Sequence, residues 1–138
     1  METEFGVCVK YCPKHYNLTK HGFCVKLYAD KQRTQDAAER RCQEDGGHLI
    51  NIDSQEKYED VRRLVKGTGS IYEWIDGRRK DVTSPWEYKY GSQKGFFKWR
   101  ISKPGNKLCL KVYLRYNSLY WYDNSCTSFY NSICEIYM

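Results

Sequence analysis

The sequence predicts an α+β fold, and the order of its segments carries that prediction. Two stretches with helical features lie between residues 34 and 67, and short stretches with strand character follow after residue 70. Helices followed by clustered strands are typical of α+β domains. Seven cysteines in 138 residues, none of them in a CxxC pair, further indicate a small domain stapled by disulfides.

The first helix is predicted to begin after Thr34, whose hydroxyl can cap the free amides of the first turn. It runs to Asp45, and Gly46-Gly47 ends it because glycine readily takes the left-handed conformation. Residues 22–28, which precede this helix, alternate in polarity enough to form a strand.

The second helix is predicted from a cap and an apolar stripe. Asp53, with Glu56 three residues later, forms a capping-box arrangement, and Gly67 closes the segment. The stripe has helical spacing and is expected to face the core; it consists of Tyr58, Val61, Leu64 and Val65.

The second half of the chain is predicted to form short strands around one long loop. The stretch 85–109 is rich in Gly, Lys and aromatic residues and has weak periodicity. Long irregular loops in compact domains are uncommon and tend to be functional, so this loop is a candidate site. The strands are expected over residues 71–76, 86–90, 108–114, 119–123 and 132–137.

Charge and composition narrow the function classes without choosing among them. The net charge of +6 is compatible with acidic glycans, membranes or nucleic acid, and equally with a surface charged for solubility. Aromatic residues make up 16% of the chain, and their flat faces suit both sugar rings and protein partners. No apolar run approaches the roughly 20 residues that span a bilayer. We therefore expect no membrane insertion, and we expect no nucleic-acid partner.

Catalysis and a structural metal are not expected. The three histidines (His15, His21 and His48) are not spaced to complete a zinc site. No nucleophile–base spacing, metal cluster or phosphate loop is visible, so the chain is predicted to be a binding protein without a cofactor. The first residues lack the regions of a signal peptide, and secretion to the extracellular space is inferred from the cysteines alone, for a mature form with a starter Met.

The cysteines and three short motifs resemble a long-form C-type lectin-like domain, from Cys12 to Cys134. The motifs are Gly46-Gly47-His48-Leu49, Trp74-Ile75-Asp76-Gly77 (with Asp76 as a departure) and Trp121-Tyr122-Asp123. The residues alone leave the cysteine pairing open. The resemblance implies the C-type lectin fold, with two helices, small antiparallel sheets and a long irregular loop region, and the pairs Cys12–Cys24, Cys42–Cys134 and Cys109–Cys126.

Cys8 has no partner in that scheme. We predict a tail over residues 1–11 ahead of a domain over residues 12–138, with Cys8 joining two chains as a homo- or heterodimer; the alternative is a capped or free thiol. Asn17-Leu18-Thr19 is an N-glycosylation sequon.

The resemblance also implies that the usual calcium site has been dismantled. Sugar-binding members hold calcium through side-chain oxygens of a Glu-Pro-Asn or Gln-Pro-Asp motif, a following acid and a Trp-Asn-Asp segment. Here Lys103-Pro104-Gly105 occupies the first motif, Lys107 replaces the acid and Tyr122 replaces the Asn. Of that set only Asp123 remains, and calcium wants many oxygen ligands, so no metal is expected.

A small group of calcium-independent bivalve C-type lectins carries Arg-Pro-Asp or Lys-Pro-Asp at this place, although Gly105 stands where they have Asp. The resemblance implies recognition of N-acetylated hexosamines, GlcNAc and GalNAc. Lys103 paired with Asp123 would meet sugar hydroxyls or an acetamido group, beside a face that includes Trp99. The expected ligand residues are Lys103, Pro104, Gly105, Asn106, Lys107, Tyr116, Tyr120, Tyr122 and Asp123.

Two functions remain open. The first is a secreted lectin for glycans that contain N-acetylhexosamine, acting in innate recognition of foreign glycans. The second is a domain that has lost sugar binding and acts in protein or mineral interaction, since Lys103-Pro104-Gly105 is also an ordinary turn sequence. The basic cluster Arg78-Arg79-Lys80 is expected to be a solvated face, with sulfated glycans as the other interpretation.

Overall fold

The computed structural model describes residues 11–91 and 96–137, and it has the predicted α+β architecture. Two helices pack against a sheet whose strands come mainly from the second half of the chain. The elements in chain order are β1 (Asn17–Leu18), β2 (Cys24–Arg33), α1 (Gln35–Glu44), β3 (His48–Leu49), α2 (Gln55–Thr68), β4 (Tyr72–Arg78), β5 (Cys109–Arg115), β6 (Ser118–Asn124) and β7 (Tyr130–Ile136).

The strands form one mixed sheet rather than the separate small antiparallel sheets that were predicted. Its order is β1-β2-β7-β4-β5-β6, and β3 also pairs with β7. All pairs are antiparallel except β4 with β7, where Glu73 and Trp74 lie opposite Asn131 and Ser132. This one parallel contact joins two antiparallel sets of strands, which places β1 and β6 at opposite edges of the sheet.

The helix boundaries follow the predicted capping chemistry with one correction. Thr34 caps α1 as predicted, because its hydroxyl accepts a hydrogen bond from the Ala37 amide (3.3 Å). Ser54, not Asp53, caps α2, since the Ser54 hydroxyl accepts from the Lys57 amide at 3.1 Å. The helix also runs past Gly67 to a left-handed C-cap at Gly69, and its predicted apolar stripe packs into the core.

The strand predicted over residues 86–90 does not form. Only Glu87 pairs, as an isolated bridge to Arg78. The buried Asp76 carboxylate instead accepts hydrogen bonds from the amides of Lys89 (3.0 Å) and Tyr90 (3.1 Å), and it thereby takes the donors that a strand ladder would need. The other predicted strands form with shifted ends.

The core is divided between two clusters of buried side chains. Trp121 belongs to the larger cluster, which fills the space between α2 and the sheet. Trp74 belongs to the smaller one, beside the Cys42–Cys134 disulfide that fastens α1 to β7. Cys12–Cys24 and Cys109–Cys126 are also bonded, so all three implied pairs are present. Cys8 lies outside the described residues, and its pairing and the boundary of the tail stay predictions.

Candidate ligand-binding site

The loop that carries Lys103-Pro104-Gly105 is anchored to β6 by the Asp123 carboxylate. Its Oδ1 accepts a hydrogen bond from the Gly105 amide and its Oδ2 accepts one from the Lys107 amide, each at 2.7 Å. The side chain is 1% exposed. Burial opposes ionisation, but the two amides outweigh it and hold the pKa of Asp123 below its ordinary value. Asp123 therefore stays a carboxylate and fixes the loop.

The same loop segment is held from its carbonyl side by Arg79. The guanidinium donates from Nη2 to the Gly105 carbonyl (2.8 Å), from Nε to that of Lys107 (3.0 Å) and from Nη1 to that of Val82 (3.1 Å). It also lies over the Trp86 ring, 4.6 Å from the centroid. The prediction of a solvated face is wrong for Arg79, because the loop carbonyls replace water around its charge.

Lys103 is placed at the outer side of this anchor. Its Nζ lies 3.9 Å from Oδ1 of Asp123 and 5.3 Å from the centroid of the Tyr122 ring, and its side chain is 33% exposed. The peptide bond between Lys103 and Pro104 is cis. Because 3.9 Å is beyond hydrogen-bond distance, Asp123 does not take up the donors of the Lys103 ammonium, and these donors can reach a ligand.

The predicted tyrosines line the surface that leads away from Lys103. Tyr120 and Tyr122 lie on the same face of β6, since alternate residues of a strand share a face. Nη1 of Arg100 donates to the Tyr122 hydroxyl at 3.3 Å, and the guanidinium carbon lies 5.9 Å from the Tyr120 ring centroid. Tyr116 is 87% exposed at the turn between β5 and β6.

The structure divides the predicted site residues into two neighbouring groups. Lys103, Gly105, Lys107, Tyr122 and Asp123 surround the loop anchor, and Pro104 and Asn106 are exposed on the same loop. The others lie around a shallow cavity of about 270 Å³, which is lined by Trp99, Arg100, Ile101, Arg115, Tyr116 and Tyr120.

Three arginines that the structure places at the candidate site were not assigned to it by the sequence analysis. Arg79 carries no signal of burial, because its neighbours Arg78 and Lys80 are also basic. Arg78 does face outward, where it pairs with Asp36 at 2.7 Å. Alternate residues of a strand share a face, and this alternation along β5 could have identified Arg115 as a candidate site residue. Arg115 pairs with Ser118 across the hairpin. Arg100 follows Trp99 directly in the candidate loop, and its position was not used.

The donor set at this loop does not fit calcium. Of the family's ligand positions only Asp123 keeps a carboxylate, and it holds two loop amides. The others hold Lys103, Gly105, Lys107 and Tyr122, which supply two ammonium groups and no carboxylate. A Cβ at Gly105 would lie 3.2 Å from Oδ2 of Asp123, so a larger residue there would crowd the anchor. Within residues 11–91 and 96–137, no three His, Cys, Asp or Glu side chains gather where they could hold a metal ion.

Comparisons with known proteins agree on the fold. A family profile described as the Lectin C-type domain matches residues 31–136. A "C-type lectin galactose-binding isoform" from Pseudechis australis is 30% identical over 134 residues, which cover 90% of this chain and 82% of that protein. Among solved structures, a calcium-independent type II antifreeze protein has a TM-score of 0.77 and 26% identity over 91% of this chain and 93% of its own. The complex of SPL-1 with GlcNAc has a TM-score of 0.76 and 20% identity over 94% and 97% of the two chains.

In the described part of the chain, no helix is long and apolar enough to cross a membrane.

Proposed function

The chain belongs to the C-type lectin domain family, and on that premise we propose that it is a secreted lectin that recognises N-acetylated hexosamines without calcium. Its biological role in this proposal is the innate recognition of foreign glycans. The paired cysteines favour an oxidising, extracellular compartment. A disulfide between two copies through Cys8 would add avidity for glycans that display several sugars.

One observation carries this proposal: the chain's own charged groups hold the loop, and a half-exposed ammonium stands beside it. Arg79 holds the carbonyls of Gly105 and Lys107, and Asp123 holds the amides of the same two residues. These contacts anchor the loop through the chain's own groups, which supports binding without a divalent ion. A preorganised site loses less entropy when a ligand binds, which favours affinity for a small sugar.

Each proposed ligand contact has a separate chemical task. The Lys103 ammonium donates hydrogen bonds to a sugar hydroxyl or to the carbonyl of an acetamido group. The Tyr122 ring, which lies under that ammonium, offers an apolar face for the sugar ring or the acetamido methyl. Tyr120 and Tyr116 extend this face along the hairpin. Asp123 acts by positioning the loop rather than by meeting the sugar.

The complex of SPL-1 with GlcNAc supports the choice of ligand, since the same fold holds an N-acetylated sugar there. The sugar itself is a proposal for this chain. The galactose-binding name of the Pseudechis australis relative makes galactose the appropriate competitor in any binding experiment.

The test is sugar binding in the presence of a chelator, measured by calorimetry or by ligand-observed NMR. We expect GlcNAc and GalNAc to bind in EDTA, and galactose to bind more weakly. Lys103→Met should weaken binding of GlcNAc at least about tenfold, because it removes the charged donor. The matched control is Lys20→Met, on an exposed lysine between β1 and β2 at the opposite edge of the sheet. Binding that requires calcium, or equal affinities for the two variants, would refute the proposal.

The second candidate function is protein or mineral interaction without a sugar site. It is favoured by the protruding loop tip, where Ile101 is 88% exposed near Tyr116. The calcium-independent antifreeze protein of the same fold also supports it. An array on which no glycan binds, in chelator or in calcium, would favour this function over the lectin.

A further inference from the structure

The basic side chains of the described residues are unevenly neutralised. On the side of the helices and β2, some cations, such as Lys31, Arg40 and Lys66, have no described carboxylate within ion-pair distance, but five others do. These pairs are Arg33–Asp30, Arg41–Asp45, Lys57–Glu135, Arg63–Asp60 and Arg78–Asp36.

The outer face of β5 and β6 carries four cations, of which three lack such partners among the described residues. Arg100, Lys103, Lys111 and Arg115 lie on this face or beside it. Among residues 11–91 and 96–137, Asp123 is the only carboxylate within 4.0 Å of any of the four, and it reaches only Lys103. This carboxylate also accepts hydrogen bonds from two backbone amides. The face therefore carries four cations against one carboxylate, and its net charge is positive.

Lys111, which is buried beneath this face, adds to its positive electrostatic potential. Its buried ammonium lies 4.1 Å from the ring centroids of both Tyr72 and Tyr130, and 5.7 Å from that of Tyr122. Aromatic faces stabilise a cation without neutralising it. The positive potential is consequently retained beneath the tyrosines of the sheet.

The cavity beside this face has the shape and lining of a subsite for one charged sugar. Its volume of about 270 Å³ is below the range of drug-sized pockets, as suits a single sugar residue. Arg100 and Arg115 both line it, with Tyr116 and Tyr120 as aromatic walls and no carboxylate in the lining. The guanidinium of Arg115 lies 5.4 Å from the Tyr116 ring centroid.

We infer that this cavity binds the anionic substituent, a sulfate or a carboxylate, of an acidic N-acetylhexosamine glycan. A guanidinium presents paired N–H donors that match the oxygens of both groups. Tyr122 connects the cavity to the Lys103 site, because its hydroxyl accepts from Arg100 and its ring lies under the Lys103 ammonium. The inference rests on the proposed function and names the glycan class of that same surface.

The experiment compares three ligands in EDTA at physiological salt: GlcNAc, GlcNAc 6-sulfate and N-acetylmuramic acid, which carries a carboxylate. We expect at least one acidic sugar to bind about tenfold or more tighter than GlcNAc, and its advantage to fall as salt is raised. The ligand that gains affinity identifies sulfate or carboxylate as the recognised group.

Arg115→Gln is the decisive variant, since it removes a guanidinium that makes no hydrogen bond to the loop in the described structure. It should abolish the advantage of the acidic sugar and leave the Kd of neutral GlcNAc and the melting temperature unchanged. Lys20→Met, at the opposite sheet edge, should change neither affinity.

The failures of the two proposals are distinguishable. Equal affinities for neutral and acidic sugars, or an advantage that survives Arg115→Gln, overturn the anionic subsite and leave the lectin proposal in place. Absence of binding by all three ligands overturns the lectin proposal itself. Tighter binding of a single-stranded oligonucleotide of the same charge would overturn the glycan class and indicate a general polyanion surface.

Discussion

Two lysine–carboxylate pairs in different parts of the molecule show how differently the same chemistry can be used. Lys57 and Glu135 lie 2.9 Å apart, with side chains only 4% and 2% exposed. The Lys57 ammonium also reaches the Asn51 carbonyl (3.3 Å) and the Asp53 carboxylate (3.4 Å). Its donors are fully used by oxygens of the protein, so this pair serves the fold.

The pair formed by Lys103 and Asp123 is looser, although its carboxylate is equally buried (1% exposed). Its atoms are 3.9 Å apart, and the lysine side chain is 33% exposed. Asp123 directs its oxygens to two backbone amides, and its main partner is the loop rather than the lysine. The difference teaches that a buried lysine with complete coordination is structural, whereas a lysine left half-coordinated at the surface is available to a ligand.

The largest expected effect comes from breaking the buried pair. Lys57→Met should lower the free energy of unfolding by about 3–5 kcal/mol, because it leaves the Glu135 carboxylate buried without its cation. Denaturant unfolding with the disulfides intact measures this loss. The double variant Lys57→Met/Glu135→Gln should recover much of it, since it also removes the deeply buried charge of Glu135, and the Asp53 carboxylate is 18% exposed and can be hydrated. A loss under about 1 kcal/mol for the single variant would show that the pair is not structural.

Glu73 on β4 sharpens the comparison, because it is a buried carboxyl without a cation. Ser70 donates a hydrogen bond to its Oε2, while Oε1 has no hydrogen-bond partner. Burial raises the pKa of Glu73 from 4.5 to about 7. As pH rises through this interval, the unfolded chain releases the proton first, so the contribution of Glu73 to stability is lost between about pH 4.5 and 7.

Glu73→Gln should therefore make the protein more stable than the wild type at pH 8, by about 3 kcal/mol, and nearly equal to it at pH 4. The amide stays neutral and its oxygen can still accept from Ser70. Melting temperatures of both proteins at the two pH values measure the effect, and other titrating groups cancel in the difference. A wild type that is the more stable protein at pH 8 would contradict the assignment.

Breaking the loop anchor is expected to cost less than breaking the buried pair. Asp123→Ala removes both acceptors for the amides of Gly105 and Lys107, and it should destabilise the protein by about 2 kcal/mol, since water can replace part of the interaction. Hydrogen exchange at these two amides should accelerate, and GlcNAc binding should be lost with them. Unchanged protection of the Gly105 amide would mean that Arg79 alone holds the loop.

The sequence was sufficient for the parts of the fold that depend on local signals or on a known cysteine pattern. The Thr34 cap and the Cys42–Cys134 pair are examples, and both are present. It failed where a distant side chain competes for backbone donors. Asp76 takes the amides of Lys89 and Tyr90, and no periodicity within residues 86–90 reveals that competition.

The candidate site was predictable in composition but not in arrangement. The substitution of Lys103 and Lys107 into calcium-ligand positions is visible in the sequence. Arg79 is buried beneath the same loop because it contacts Gly105, which is 26 residues further along the chain, and no local signal shows this contact. The basic residues beside Arg79 in the sequence instead predict exposure to solvent. The cavity at Arg115 requires the β5–β6 register, which only the structure supplies.

The smallest expected effect on stability, and the sharpest contrast with Lys57, belongs to Lys103. Lys103→Met should change the free energy of unfolding by less than about 1 kcal/mol, because a half-exposed and distant ion pair contributes little in water. Its effect on GlcNAc binding should nevertheless be at least about tenfold. Chemical unfolding and calorimetry on one preparation measure both quantities. A stability loss comparable to that of Lys57→Met would place Lys103 in the fold's own ion-pair network, and the loss of sugar binding would then follow from a disordered loop rather than from a missing contact.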